Sequence, residues 1–252
     1  MSYVERIKTG ISGFDDLIEG GFPKGATVVL TGGPGTGKTI FGLQFLYNGA
    51  KSGEKVLYVT FEQRREDLLK QAIQFGWNLV ELQEQGLLEV LSIPSWEITH
   101  STLDAIKKKA QTQKIGRIVI DSITTLSINA PILTNMNNLS VQQVLEQSTI
   151  FSPPIVGDYI LKQFIYSFIA RLSEIDATTL LISDSASQGD YMTIDTVSEY
   201  AADGVVIINF ETLGGAYSRT LLVRKMRHTK NDEDIHPLEI GKDGIVVHTI
   251  GK

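Results

Sequence analysis

A chain of 252 residues, 42% hydrophobic and 21% charged, is long enough for one α/β domain with a full core. Its 23 Lys and Arg against 29 Asp and Glu give a formal charge of −6, so a polyanion would have to be met by a local basic patch. The absence of cysteine excludes disulfides, thiolate metal ligands and cysteine nucleophiles, and no apolar run reaches the roughly 18 residues of a membrane span.

The opening Met1-Ser2-Tyr3-Val4-Glu5-Arg6 has no apolar signal region, and a cytoplasmic location is expected. Residues 26–31 form a short β-branched run, followed by a glycine loop and a helix over 39–50. A second strand over 55–61 leads into a helix over 65–75, stopped by Gly76. A short strand is expected at 87–91. Ser101-Thr102-Leu103-Asp104 reads as a capping box that opens a helix ending near Gln113. Residues 117–121 and 178–183 are apolar with little alternation, as strands covered on both faces are. Between them Leu161, Phe164, Ile165, Phe168, Ile169 and Leu172 recur at helical spacing and mark one buried stripe. An Asn/Gln-rich insertion near 130–157 precedes that helix. Residues 205–210, 219–226 and 245–250 read as strands joined by turns at Gly214-Gly215 and Asp243-Gly244. The expected fold is α/β: a mostly parallel sheet flanked by helices, with a C-terminal antiparallel extension, in a single domain over 1–252.

Gly32-x-x-x-x-Gly37-Lys38-Thr39 stands between a predicted strand and a predicted helix, the context a phosphate-binding loop requires. Glycines let successive backbone N–H groups curl around phosphate oxygens, and the helix start adds partial positive charge. The candidate nucleotide-binding residues are therefore Gly33, Pro34, Gly35, Thr36, Gly37, Lys38, Thr39 and Ile40. Lys38 is placed to reach the β- and γ-phosphates, and the Thr39 hydroxyl to ligate Mg²⁺. Open α/β sheets bind ligands at the carboxyl ends of their strands. There this sequence puts Glu62-Gln63, Asp121-Ser122 and Ser183-Asp184. Asp121, after Arg117-Ile118-Val119-Ile120, is the candidate second Mg²⁺ residue, and Glu62 the candidate base for a water attacking the γ-phosphate.

Thr9-Gly10-Ile11-Ser12-Gly13-Phe14-Asp15-Asp16-Leu17-Ile18 and Gly20-Gly21-Phe22-Pro23-Lys24-Gly25 resemble the segment before the P-loop in KaiC-like ATPases of the RecA superfamily. Val59-Thr60-Phe61-Glu62, Phe75-Gly76-Trp77, Val119-Ile120-Asp121-Ser122 and Lys225-Met226-Arg227 match in order and spacing, so the resemblance spans nearly the whole chain. It implies a RecA-type core, Mg-ATP, Glu62 as hydrolytic base, and a self-assembled ring with ATP between subunits. It further implies that Lys225 and Arg227 reach a neighbour's γ-phosphate, a role the rigid guanidinium fork suits. Gln63 stands where many relatives carry a second Glu, and Asp184 where relatives often carry Gln or Thr.

Three functions are open from the sequence. The first is a self-assembling ATPase, a homohexamer, that regulates a protein partner. The second is a RadA-paralogue acting on DNA, and the third is a slow nucleotide switch. Charge placement separates the first two: no Lys or Arg occurs over 118–161 or 172–218, which contain the loops RecA-type recombinases use for DNA. Nucleic acid is therefore not the expected partner.

Overall fold

The computed structural model describes residues 4–128, 153–185, 192–213 and 216–249. Two short strands, β1 (Arg6–Ile7) and β2 (Phe22–Pro23), pair antiparallel around a 3-10 turn at Asp15–Ile18. The Asp15 carboxylate fastens this turn by accepting from the N–H groups of Thr9 and Gly10 and from the Thr9 hydroxyl. Phe14 then packs edge-on against Phe22 and Phe41.

The chain alternates from there. β3 (Thr27–Gly32), α1 (Lys38–Lys51), β4 (Val56–Thr60), α2 (Arg65–Ile73), α3 (Leu79–Glu84) and β5 (Leu88–Ser92) come first. α4 (His100–Gln113), β6 (Arg117–Asp121), α5 (Ile123–Ile128), α6 (Pro153–Leu172), β7 (Thr178–Asp184) and α7 (Ser198–Ala201) follow. β8 (Gly204–Leu213), β9 (Ala216–Met226), β10 (His236–Gly241) and β11 (Gly244–Val247) close the described chain. One nine-stranded sheet has the order β11-β10-β9-β8-β3-β7-β6-β4-β5. From β8 to β5 neighbours run parallel, and from β8 to β11 antiparallel, so the expected fold class is borne out.

Alternation sorts the strand residues between two cores. Val28, Leu30, Tyr58, Val119, Leu180 and Ile182 face α1 and the N-terminal segment, among Phe14, Phe22, Phe41 and Phe45. Val29, Leu57, Val59, Ile118, Ile120 and Leu181 face the opposite layer, where Ile106 and the predicted stripe Phe164, Ile165, Phe168, Ile169 and Leu172 cover them. Both faces are dry, which is why these strands read as continuous apolar runs.

Three local expectations change. α4 opens earlier than Ser101: Thr99 is its cap, and the Thr99 N–H donates to Thr102 Oγ1 at 2.9 Å. Thr99 is extended, with ψ 170°, and so sits outside the helix, while Ser101 is already inside it. β10 is an addition to the expected strands: Pro237 and Glu239 interrupt its apolar character, yet it pairs with both β9 and β11. α3 is a single capped turn and a half, with the Glu81 N–H donating to Asn78 Oδ1, and is too short to announce itself by periodicity. The expected insertion near 130–157 lies outside the described residues except where α6 begins.

Candidate functional site

Sheet register brings four strand ends to one edge. Gly32 is opposite Asp184 on one side and Ile208 on the other, and Asp121 is opposite both Thr60 and Ile182. Immediately beyond these positions lie the glycine loop, Glu62 and Ser122.

The loop itself is braced. Gly35 and Gly37 have φ of +74° and +108°, a region where a side chain is strained. A Cβ at Gly37 would also stand 2.8 Å from Ile240 Cδ1, so the C-terminal extension packs against the loop here, although the positive φ is what requires glycine. Thr36 Oγ1 donates to the Gly33 carbonyl at 2.9 Å. Arg219, lying over the Phe210 ring, donates from Nη2 to the Gly35 carbonyl at 3.2 Å. Lys38, first residue of α1, turns its ammonium back to the Gly32 and Gly33 carbonyls at 2.8 and 3.0 Å and pairs with Asp184 Oδ1 at 3.1 Å.

Asp121 is 3% exposed and receives two hydroxyls on one oxygen. Thr39 Oγ1 donates to Oδ2 at 3.0 Å and Tyr58 Oη at 2.7 Å. Burial pushes the Asp121 carboxyl up to about 6 and the Glu62 charge adds to the rise, while Tyr58, Thr39 and Lys38 pull it down. Burial first, and then the Asp121 charge, hold the Tyr58 phenol well above its ordinary value, so it remains a donor. A cation set against Asp121 and Thr39 would favour the ionised carboxylate.

Glu62 is exposed at the end of β4. Ser122 Oγ donates to its Oε1, and Thr125 Oγ1 donates to the same oxygen at 2.8 Å, so the β6–α5 corner orients it. Gln63, by contrast, turns its backbone inward: its N–H donates to Thr60 Oγ1 and its carbonyl accepts from Ser92 Oγ.

Among the described residues no group of three or more His, Asp or Glu side chains assembles into a metal cage. Thr39 and Asp121 still fit Mg²⁺, which is commonly held by one or two carboxylates together with substrate phosphates and waters. Their shared hydrogen bond sets both oxygens on one side of the loop.

Lys225 and Arg227 lie elsewhere. Met226 is opposite Gly204, and Gly204 opposite Val28, four residues before Gly32. At about 3.3 Å per residue they flank a point some 13 Å along the strand from the loop, at the opposite sheet edge. Lys225 Nζ donates to the carbonyls of Glu199, Tyr200 and Ala202, and burial together with Arg227 lowers its pKa. Arg227 is half exposed and pairs with Asp203 at 3.2 Å.

Sequence reasoning missed Tyr58, Thr125 and Arg219 as neighbours of this site, and it set Ser122 at the edge without pairing it to Glu62. A Tyr inside an apolar strand gives no sign of its partner until the β4–β6 register is known, and the two hydroxyls belong to a short helical corner with no distinctive spacing.

The family model described as "ATPase: KaiC" matches residues 7–152 and 154–252. A UPF0273 protein of Aeropyrum pernix is 29% identical, the alignment covering 97% of this chain and 94% of the relative. The circadian clock oscillator protein KaiC of Parasynechococcus marenigrum is 31% identical over 98% of this chain, which spans 46% of that longer protein. A solved KaiC-like protein from Pyrococcus horikoshii superposes with a TM-score of 0.79 at 31% identity, covering 98% of this chain and 100% of that one.

Proposed function

The chain belongs to the KaiC ATPase family, and from that premise we propose that it binds Mg-ATP at the glycine loop and hydrolyses it. Its 252 residues act as one unit that assembles with its own copies, as a homohexameric ring, and regulates a protein partner. The observation that carries the reading is the convergence of Lys38, Thr39, Asp121 and Glu62 on one sheet edge, tied through Thr39–Asp121 and Ser122–Glu62 hydrogen bonds.

The division of labour follows from chemistry. Backbone N–H groups of Gly33 and residues 35–40 cradle the phosphates, and the Lys38 ammonium neutralises charge on the terminal two. Thr39 and Asp121 would hold Mg²⁺, which would supply neutralisation of phosphate charge. Glu62, oriented by Ser122 and Thr125, takes the proton of the attacking water. Glu62 is alone in this task because Gln63 supplies no second carboxylate, which favours slow turnover.

Lys225 and Arg227 serve a neighbouring copy. Their distance from their own loop argues against a role within one subunit, while a head-to-tail ring sets one subunit's edge against the next subunit's ATP. Phosphate release and light scattering, with and without Mg-ATP, test turnover and assembly together. Release by the wild-type chain, accompanied by growth in mass, supports the reading. A monomer that neither binds nor cleaves ATP contradicts it.

A further inference from the structure

The Lys38 ammonium donates to the Gly32 and Gly33 carbonyls and stands 3.1 Å from the Asp184 carboxylate as an ion pair. A phosphate oxygen that takes Lys38 as a partner enters among these three groups. The two carbonyls are neutral and belong to the loop that would cradle the phosphate. Asp184 is anionic, so it is the partner whose charge an incoming phosphate repels and competes with.

Asp184 is also fixed in place. It ends β7 directly opposite Gly32, its N–H donates to Thr124 Oγ1 at 2.9 Å, and its carbonyl accepts from the Ile194 N–H at 3.2 Å. The carboxylate is 42% exposed while the Lys38 side chain is 10% exposed, so solvent weakens the pair without dissolving it.

Accepting the loop as an ATP site, we propose that Asp184 is a specificity-determining residue that competes with the terminal phosphate for Lys38. It disfavours the triphosphate relative to the diphosphate. A diphosphate brings one phosphoryl group fewer to the ammonium and meets the carboxylate less. The terminal phosphate of a triphosphate must share Lys38 with Asp184 and lie beside its negative charge. Asp184 acts on binding through Lys38, and its own backbone hydrogen bonds are independent of its side chain, so neutral replacements leave the strand end intact.

The test is calorimetric titration of wild type, Asp184→Asn, Asp184→Ser and Asp184→Glu with the magnesium complexes of ADP and of an imido analogue of ATP. Asn and Ser are expected to tighten the triphosphate analogue about fivefold and ADP by less than about twofold, with Glu keeping the wild-type ratio. Damage to the fold would weaken both ligands, so a gain in affinity separates the proposed role from a structural one. Unchanged or weaker triphosphate binding in both neutral variants, or an equal gain for both nucleotides, overturns the assignment. Failure of the wild-type chain to bind either nucleotide overturns the ATP-site reading itself, and the role of Asp184 with it.

Discussion

Thr39 Oγ1 donates to Asp121 Oδ2 at 3.0 Å, joining residues 82 positions apart in the chain. The bond ties the first turn of α1 to the end of β6 and sets the two candidate Mg²⁺ ligands side by side. Tyr58 donates to the same oxygen from β4, so α1, β4 and β6 meet at one carboxylate.

Lys38→Ala and Thr39→Ala are each expected to abolish measurable Mg-ATP binding in a titration, because each removes a direct phosphate or metal contact. Undiminished affinity in both variants would remove the loop as the nucleotide site.

Glu62→Gln is expected to keep ATP binding and to lower steady-state phosphate release by about 10²-fold or more, the usual size of a general-base effect. The amide still accepts from Ser122 and Thr125, so orientation is preserved while basicity is lost. Turnover within a few-fold of wild type would show that Glu62 is not the base.

Asp121 gives a pH dependence with a definite sign. Its carboxyl titrates at about 6 when folded, against an ordinary value of 3.8, so between those limits the folded chain holds a proton that the unfolded chain has released. Stability therefore falls as pH rises from about 4 to 6 and then stays level, by on the order of 3 kcal/mol from this group. Urea unfolding in chelator should show Asp121→Asn gaining on wild type across that window. A difference between the two that is constant from about pH 4 to 8 would contradict the shift.

No tight DNA binding is expected. Residues 118–161 and 172–218 carry no Lys or Arg, and the second stretch holds Asp184, Asp190, Asp195, Glu199 and Asp203. Of the basic residues between Arg219 and Lys230, Arg219 is turned to the Gly35 carbonyl, Lys225 caps α7, and Arg227 pairs with Asp203. With few cations free to release counterions, affinity should be weak and lost at moderate salt. ATP-dependent, sub-micromolar binding to single-stranded DNA near physiological salt, in a mobility-shift titration, would favour the RadA-paralogue reading.

Much of this arrangement is legible in the sequence because the relevant signals are local. The loop is a contiguous motif, and Glu62, Asp121 and Asp184 each follow an apolar strand that must run parallel to β3, so they arrive at its edge. The rest depends on register and pairing, which no local pattern encodes. Tyr58 meets Asp121 only because β4 and β6 are neighbours, although β5 lies between them in sequence. The separation of Lys225 and Arg227 from their own loop follows from the β8–β9 hairpin register, and the pairing of Asp184 with Lys38 from that of β3 and β7. β10 is hidden because Pro237 and Glu239 mask a strand that its neighbours stabilise from both sides.

If the ATPase site is completed by a second copy of the chain, mixing Arg227→Ala with Lys38→Ala subunits restores activity that neither variant has. Each variant alone should be inactive. In co-assembled rings some interfaces pair an intact Lys38 loop with an intact Arg227, and phosphate release should reappear there in proportion to their number. Co-assembly shown by light scattering with no recovery of phosphate release would contradict a site shared between neighbours.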